Sequence, residues 1–107
     1  MELEQYQIVL VNLDPTIGNE VQKTRPCVII SPNEMNKYLQ TIVIAPMTSS
    51  SGQYPTRVEV RRNQKIGWVV LDQIRTVDKQ RIIKILDILT DKEVAGVKAV
   101  IRETYVD

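Results

Sequence analysis

The chain has no histidine and no phenylalanine, and only one cysteine and one tryptophan among its 107 residues. Each gap closes off a class of chemistry. Without His, the commonest general base and the commonest metal ligand are both missing, and a Ser-His-Asp arrangement is impossible. One Cys excludes an intrachain disulfide framework, and with no His beside it too few ligands remain for a protein-built zinc site. With four glycines in all, no Gly-rich phosphate loop follows a strand. No apolar run approaches the roughly 20 residues needed to span a membrane. The opening MELEQYQIVL has no basic stretch of the kind that begins a secretion signal. The expectation is therefore a cytoplasmic protein with no membrane contact, no metal and no cofactor.

Charge of either sign is also nearly absent on balance: 14 Lys and Arg stand against 13 Asp and Glu, a net charge of +1. That argues against a general nucleic-acid binder, which carries a clear basic excess. The distribution is less even. Residues 1–24 hold Glu2, Glu4, Asp14 and Glu20 against Lys23, whereas residues 41–71 hold Arg57, Arg61, Arg62 and Lys65 against Glu59. A basic patch or a solvated strand edge would each account for this.

What is present is aliphatic. Apolar residues make up 43% of the chain, enough for one globular domain spanning 1–107. Gln7 to Leu13 reads as a first strand, and Asp14 to Asn19 supplies turn chemistry. Cys27 to Ser31 is a continuous apolar run, expected to be a strand buried on both faces, with Arg25 just before it and Cys27 as a small core residue. Ser31-Pro32-Asn33-Glu34 predicts a capped helix start, with Met35, Tyr38 and Leu39 on its apolar face. Thr41 to Ala45 predicts a third strand ended by Pro46. Arg57 to Val60 and Gly67 to Leu71 predict two more, and the β-branched content of Arg81 to Leu89 favours another. Thr90-Asp91-Lys92-Glu93 is a second capping box, opening a helix with Val94, Val97, Ile101 and Tyr105 in one stripe. Six strands and two helices without βαβ alternation point to a mostly β, α+β fold: a strongly curved antiparallel sheet or small barrel with a C-terminal helix.

Polar groups at strand ends remain as candidates for chemistry: Arg25, Thr48, Asp72 and Gln73. Taken singly, each has an ordinary structural role, as a salt bridge, a loop hydroxyl or a turn cap. Taken in order, with LDPTIGNE (13–20), TRPCVIISP (24–32), IAPMTSS (44–50), GWVVLDQIRTVDKQRI (67–82) and LTDKEVAGV (89–97), the chain resembles the MazF/PemK family of bacterial toxin endoribonucleases. The likeness covers essentially the whole chain. It implies a half-open Src-homology-3-like barrel of the CcdB/MazF/PemK type, assembled as a homodimer. It also implies metal-independent cleavage of single-stranded RNA, often messenger RNA. The implied partner is a cognate antitoxin whose disordered C-terminal segment covers the RNA groove.

By that resemblance the catalytic arginine is Arg25, the catalytic threonine Thr48 and the loop glutamate Glu20. Such chemistry suits these residue types. The substrate's own 2′-hydroxyl attacks phosphorus. A fixed guanidinium offers planar donors to the developing charge, a hydroxyl adds another, and a carboxylate takes a proton. The chain departs from the family in carrying Asn19 where some relatives have a His. Candidate substrate-binding residues are Asn19, Gln22, Lys23, Ser49, Gln53, Tyr54, Asp72 and Gln73, as base-edge readers, a stacking ring or phosphate neighbours. The rival reading is a CcdB-like toxin that poisons DNA gyrase without cleaving anything.

Overall fold

The computed structural model of the chain describes residues 1–13 and 24–107. Seven strands and two helices follow one another as β1 (Gln7–Asn12), β2 (Thr24–Ile29), α1 (Asn33–Tyr38), β3 (Thr41–Thr48), β4 (Arg57–Arg62), β5 (Lys65–Val70), β6 (Arg75–Asp78), β7 (Ile82–Ile88) and α2 (Asp91–Ile101). All pairings are antiparallel, in the order β4-β5-β3-β2-β1-β7, with β6 also on β3. This is the expected curved antiparallel sheet with a C-terminal helix.

The continuous apolar runs bury both faces of the central strands. Val9, Val11, Cys27, Ile29, Ile42 and Ile44 point to one side, where Val77 and Ile82 meet them. Ile8, Val28, Ala45, Val60 and Val69 point to the other, where Leu71, Leu89 and Val97 close over them. Strands in such a two-sided environment read as unbroken hydrophobic stretches rather than alternating ones. α2 begins at the foreseen capping box: Thr90 Oγ1 accepts the Glu93 N–H at 3.2 Å, and Glu93 Oε1 accepts the Thr90 N–H at 2.9 Å. Its Val97 is fully buried and Val94, Val100 and Ile101 pack beside it, whereas Ala95 is exposed. Tyr105, also exposed along the ring, ends the stripe by donating its hydroxyl to the Leu71 carbonyl at 2.6 Å.

Four local expectations are corrected. Pro46 does not end β3; it pairs opposite Cys27 and the strand runs on to Thr48. Residues Thr41–Ile44 are flanked by β6 and residues Met47–Thr48 by β5. Pro46 thus falls at the changeover between partners, where a missing N–H costs little. Ser31 does not cap α1: its hydroxyl accepts the Val43 N–H at 3.0 Å and donates to Asn36 Oδ1, and Asn36 Nδ2 donates to the Ser31 carbonyl at 2.9 Å. This buried pair ties α1 down, so the inward-facing residue is Asn36, while Tyr38 and Leu39 stay exposed. Arg25 lies within β2, opposite Val11, rather than ahead of it. Finally, Arg75–Asp78 is a strand in its own right, four residues long and below the length that periodicity resolves.

Candidate active site

The β2–β3 register pairs Cys27 with Pro46. Arg25 and Thr48 lie two residues beyond that pair, one on each strand. Both line a cleft of about 400 Å³, together with Thr24, Pro26, Met47, Ser49, Ser50 and Gly67. Arg25 is exposed and, among the described residues, forms no ion pair. Its backbone is held by the pairing with β1 and by the φ of Pro26. The result is a cation on a fixed strand, facing solvent beside a hydroxyl.

Thr48 sits in the last pair of β3 with β5, opposite Trp68. Its Oγ1 accepts the Ser50 N–H at 3.2 Å and lies 3.2 Å from Ser50 Oγ. The hydroxyl is therefore locally oriented by the loop that follows, and its proton stays free to swing between Ser50 and an anion in the cleft. Gly67 also lines the cleft, where a Cβ would stand 3.3 Å from Met47 Cε and crowd that side chain.

Beneath the cleft, the Cys27 thiol is fully buried, and burial pushes its pKa up to about 12 against the opposing fields of Arg25 and Arg75. A thiol held protonated this firmly is packing, as the sequence reading expects, and not a nucleophile.

Asp72 stands elsewhere. It occupies the 3-10 turn Leu71–Gln73 after β5, where its Oδ1 accepts from Thr56 Oγ1 at 2.9 Å and from Arg57 Nε at 3.4 Å. Partial burial pushes this carboxyl up, but the Thr56, Arg57 and backbone hydrogen bonds outweigh it and hold the pKa below the ordinary value. Asp72 orients Arg57, not Arg25. The Arg57 guanidinium lies 5.0 Å from the Tyr54 ring centroid, leaving that ring more than half exposed. Gln53 and Gln73 are exposed nearby in sequence, on the loop and on the Asp72 turn.

The structure thus brings together Arg25, Thr48 and Ser49 in one cleft, and places Tyr54 and Asp72 in a second cluster around Arg57. Glu20, Asn19, Gln22 and Lys23 lie outside the described residues. Sequence reasoning missed Arg57 as an organiser; it saw only one of several cations in an alternating strand. Among the described residues no three His, Cys, Asp or Glu side chains come together as metal ligands, and no helix is long and apolar enough to cross a membrane.

A second, more apolar cleft of about 420 Å³ shares Pro26, Met47 and Gly67 with the first and continues past Ile66 to Leu86 and Asp87 on β7. The two clefts thus adjoin through Pro26, Met47 and Gly67.

The sequence from residue 4 to residue 105 matches the family of PemK-like, MazF-like toxins of type II toxin-antitoxin systems. The chain belongs to that family. It is 35% identical to a protein named Endoribonuclease MazF from Staphylococcus saprophyticus, over 84% of this chain and 80% of that one. Among solved structures, MazF from Deinococcus radiodurans is 25% identical and superposes with a TM-score of 0.78 over 96% of each chain. A MazE–MazF complex from the same organism matches at 23% identity with a TM-score of 0.82, covering 96% of this chain and 95% of that one. An endoribonuclease in complex with its cognate antitoxin from a mycobacterial species matches at 19% identity and 0.77, covering 95% and 91%. These likenesses place the curled half-barrel and its C-terminal helix within the MazF fold.

Proposed function

We propose that this toxin cleaves single-stranded RNA at short recognition sequences by attack of the substrate's own 2′-hydroxyl, without a metal ion. The protein is an endoribonuclease of a toxin-antitoxin system. One observation carries the finer reading: Arg25 and Thr48, from different strands, line a single solvent-open cleft. The 2′-oxygen attacks the adjacent phosphorus, and the bond to the 5′-oxygen of the next nucleotide breaks. This leaves a 2′,3′-cyclic phosphate and a 5′-hydroxyl. Arg25 is positioned to hold the non-bridging oxygens, where charge concentrates in the transition state. Thr48 supplies one further donor. Glu20 is the proposed base for the 2′-hydroxyl proton, carried over from the family pattern. Tyr54 supplies an exposed ring for stacking a base, and Ser49, Gln53 and Gln73 the polar groups that read base edges.

The protein acts on messenger RNA in the cytoplasm as a homodimer, and a cognate antitoxin restrains it. The exposed Ile83, Ile85, Leu86 and Ile88 on edge strand β7 support self-association. The apolar groove from Pro26 to Leu86 supports an antitoxin segment with apolar side chains lying across the RNA path.

The test is incubation of purified protein with a long single-stranded RNA in EDTA. Discrete fragments whose 5′ ends accept phosphate from a kinase without prior dephosphorylation are expected. Intact RNA, or fragments with 5′-phosphates, would overturn the proposal; intact RNA with inhibited DNA gyrase would favour the CcdB-like alternative.

A further inference from the structure

The loop of residues 49–56 carries Ser49 and Ser50 into the cleft, yet the next residue, Ser51, is gripped by a side chain that does not line the cleft. We infer that Arg57 is a positioning residue for Thr48, fastening this loop so that the Thr48 hydroxyl keeps its aim into the cleft. The inference rests on the reading of that cleft as the RNA-cleaving site.

The links run in order along the chain. Both ends of the loop are anchored on β5: Thr48 opposite Trp68, and Arg57 opposite Val70. Arg57 Nη1 donates to Ser51 Oγ at 2.7 Å, and Ser51 Oγ donates to the Gly52 carbonyl at 2.9 Å. The neighbouring Ser50 holds Thr48 Oγ1 through its N–H at 3.2 Å. At its other edge Arg57 Nε reaches Asp72 Oδ1 at 3.4 Å, and Thr56 Oγ1 donates to the same oxygen at 2.9 Å. The guanidinium carbon lies over the Tyr54 ring, 5.0 Å from its centroid, and the Arg57 backbone N–H donates to the Tyr54 carbonyl at 3.1 Å. Two loop residues, Ser51 and Tyr54, are therefore tied to one side chain, itself tied to the turn after β5.

Only a planar fork meets these demands together: one edge for a carboxylate, one donor for a hydroxyl and a π-face for a ring. Lysine carries the charge but presents a single point. The Arg57 side chain is 21% exposed, and its Nε and Nη1 are already engaged within the protein. Both facts favour positioning over a direct grip on RNA phosphate. A misplaced hydroxyl in a cleft of this kind costs rate rather than binding.

The experiment is a kinetic cycle on a defined single-stranded RNA with Arg57→Ala, Arg57→Lys, Thr48→Ala and the double variant Arg57→Ala/Thr48→Ala. Backbone order parameters of residues 49–52 are measured alongside. Arg57→Ala and Arg57→Lys are each expected to lower kcat about tenfold with KM within about twofold of wild type. In the Thr48→Ala background the Arg57→Ala loss shrinks to under about twofold, because both substitutions remove the same contribution. Order parameters fall in both Arg57 variants. Full activity in Arg57→Lys, or an undiminished Arg57 effect without Thr48, would overturn the inference and make Arg57 a charge or an RNA contact. A wild type that cleaves no RNA would instead remove the reading of the cleft; the fastening then still stands or falls on the order parameters, which must drop.

Discussion

Arg25 and Thr48 gain their meaning from the strands that carry them. The guanidinium is exposed at the open end of β2, while the backbone beneath it is held by β1 and Pro26. On the proposed mechanism the Thr48 hydroxyl is a transition-state donor, so Thr48→Ala should slow cleavage about a hundredfold. Thr48→Ser keeps the oxygen and should retain most of the rate. Single-turnover assays separate the two, and equal losses would make the γ-methyl rather than the hydroxyl the important group. The sequence singled these two residues out as candidates because each sits in a motif, TRP and MTSS, at a strand end; both line one cleft. It did not make Arg57 legible. That residue's partners stand 6 residues before it, at Ser51, and 15 after it, at Asp72, and only the β4–β5 pairing brings them together.

At the scale of elements, β4 and β5 are joined by Asn63 and Gln64, both with left-handed backbones at φ 52° and 67°. Such a two-residue turn matches the twist of a hairpin, and its second position favours glycine. Gln64→Gly should stabilise the protein by about 0.5–1 kcal/mol, read as a raised urea midpoint at unchanged slope. The same hairpin ends in Arg62, which reaches Asp87 on β7 at 2.7 Å, both carboxylate oxygens of Glu93 at 2.8 and 2.9 Å, and the Ile88 carbonyl at 3.1 Å. One guanidinium thus joins β4, β7 and the first turn of α2.

The Arg62 hydrogen bonds hold the carboxyls of Glu93 and Asp87 below their usual values. Groups with depressed folded pKa values contribute stability above their unfolded values, near 4, and lose it as pH falls through the folded ones. Stability should therefore decline as pH falls below about 4. Arg62→Leu should lower stability at neutral pH and flatten that decline, as measured by urea titrations across pH. An unchanged slope would show that the network carries none of it. The pKa of Arg62 itself is raised far above working pH, so it adds no pH dependence there.

Much of this layer could be read from the sequence: β-branched runs gave β1, β2 and β7, and the capping box gave α2. The misses have physical causes. Pro46 reads as a strand breaker because its tolerance depends on which neighbour flanks it. Ser31 reads as a cap because its buried partner, Asn36, cannot be told from any other polar helix residue. The four-residue β6 lies below the reach of periodicity.

For the whole molecule, β7 is the unexplained surface of a lone chain. It is an edge strand whose pairing with β1 shifts register twice, next to Ile8 and next to Leu10, and such irregularities discourage open-ended edge pairing. Its exposed isoleucines and leucine still leave an apolar area that water solvates poorly. Ile85→Glu combined with Ile88→Glu should convert the proposed homodimer, twice the 12.3 kDa chain mass, into a monomer at micromolar concentration, by sedimentation equilibrium. A variant that still sediments as a dimer would move the interface elsewhere.

The central claim is that Arg25 acts at the phosphate while the protein cleaves RNA through the substrate's own 2′-hydroxyl. Its most direct test is single-turnover cleavage of one defined single-stranded RNA in EDTA by wild type and by Arg25→Ala, with product termini read by mass spectrometry. The account predicts 2′,3′-cyclic phosphate and 5′-hydroxyl ends from wild type. It also predicts a loss of at least about a hundredfold in Arg25→Ala, with urea stability within about 0.5 kcal/mol of the parent. Wild-type rates in the Arg25→Ala variant, or 5′-phosphate ends from the parent, would contradict it.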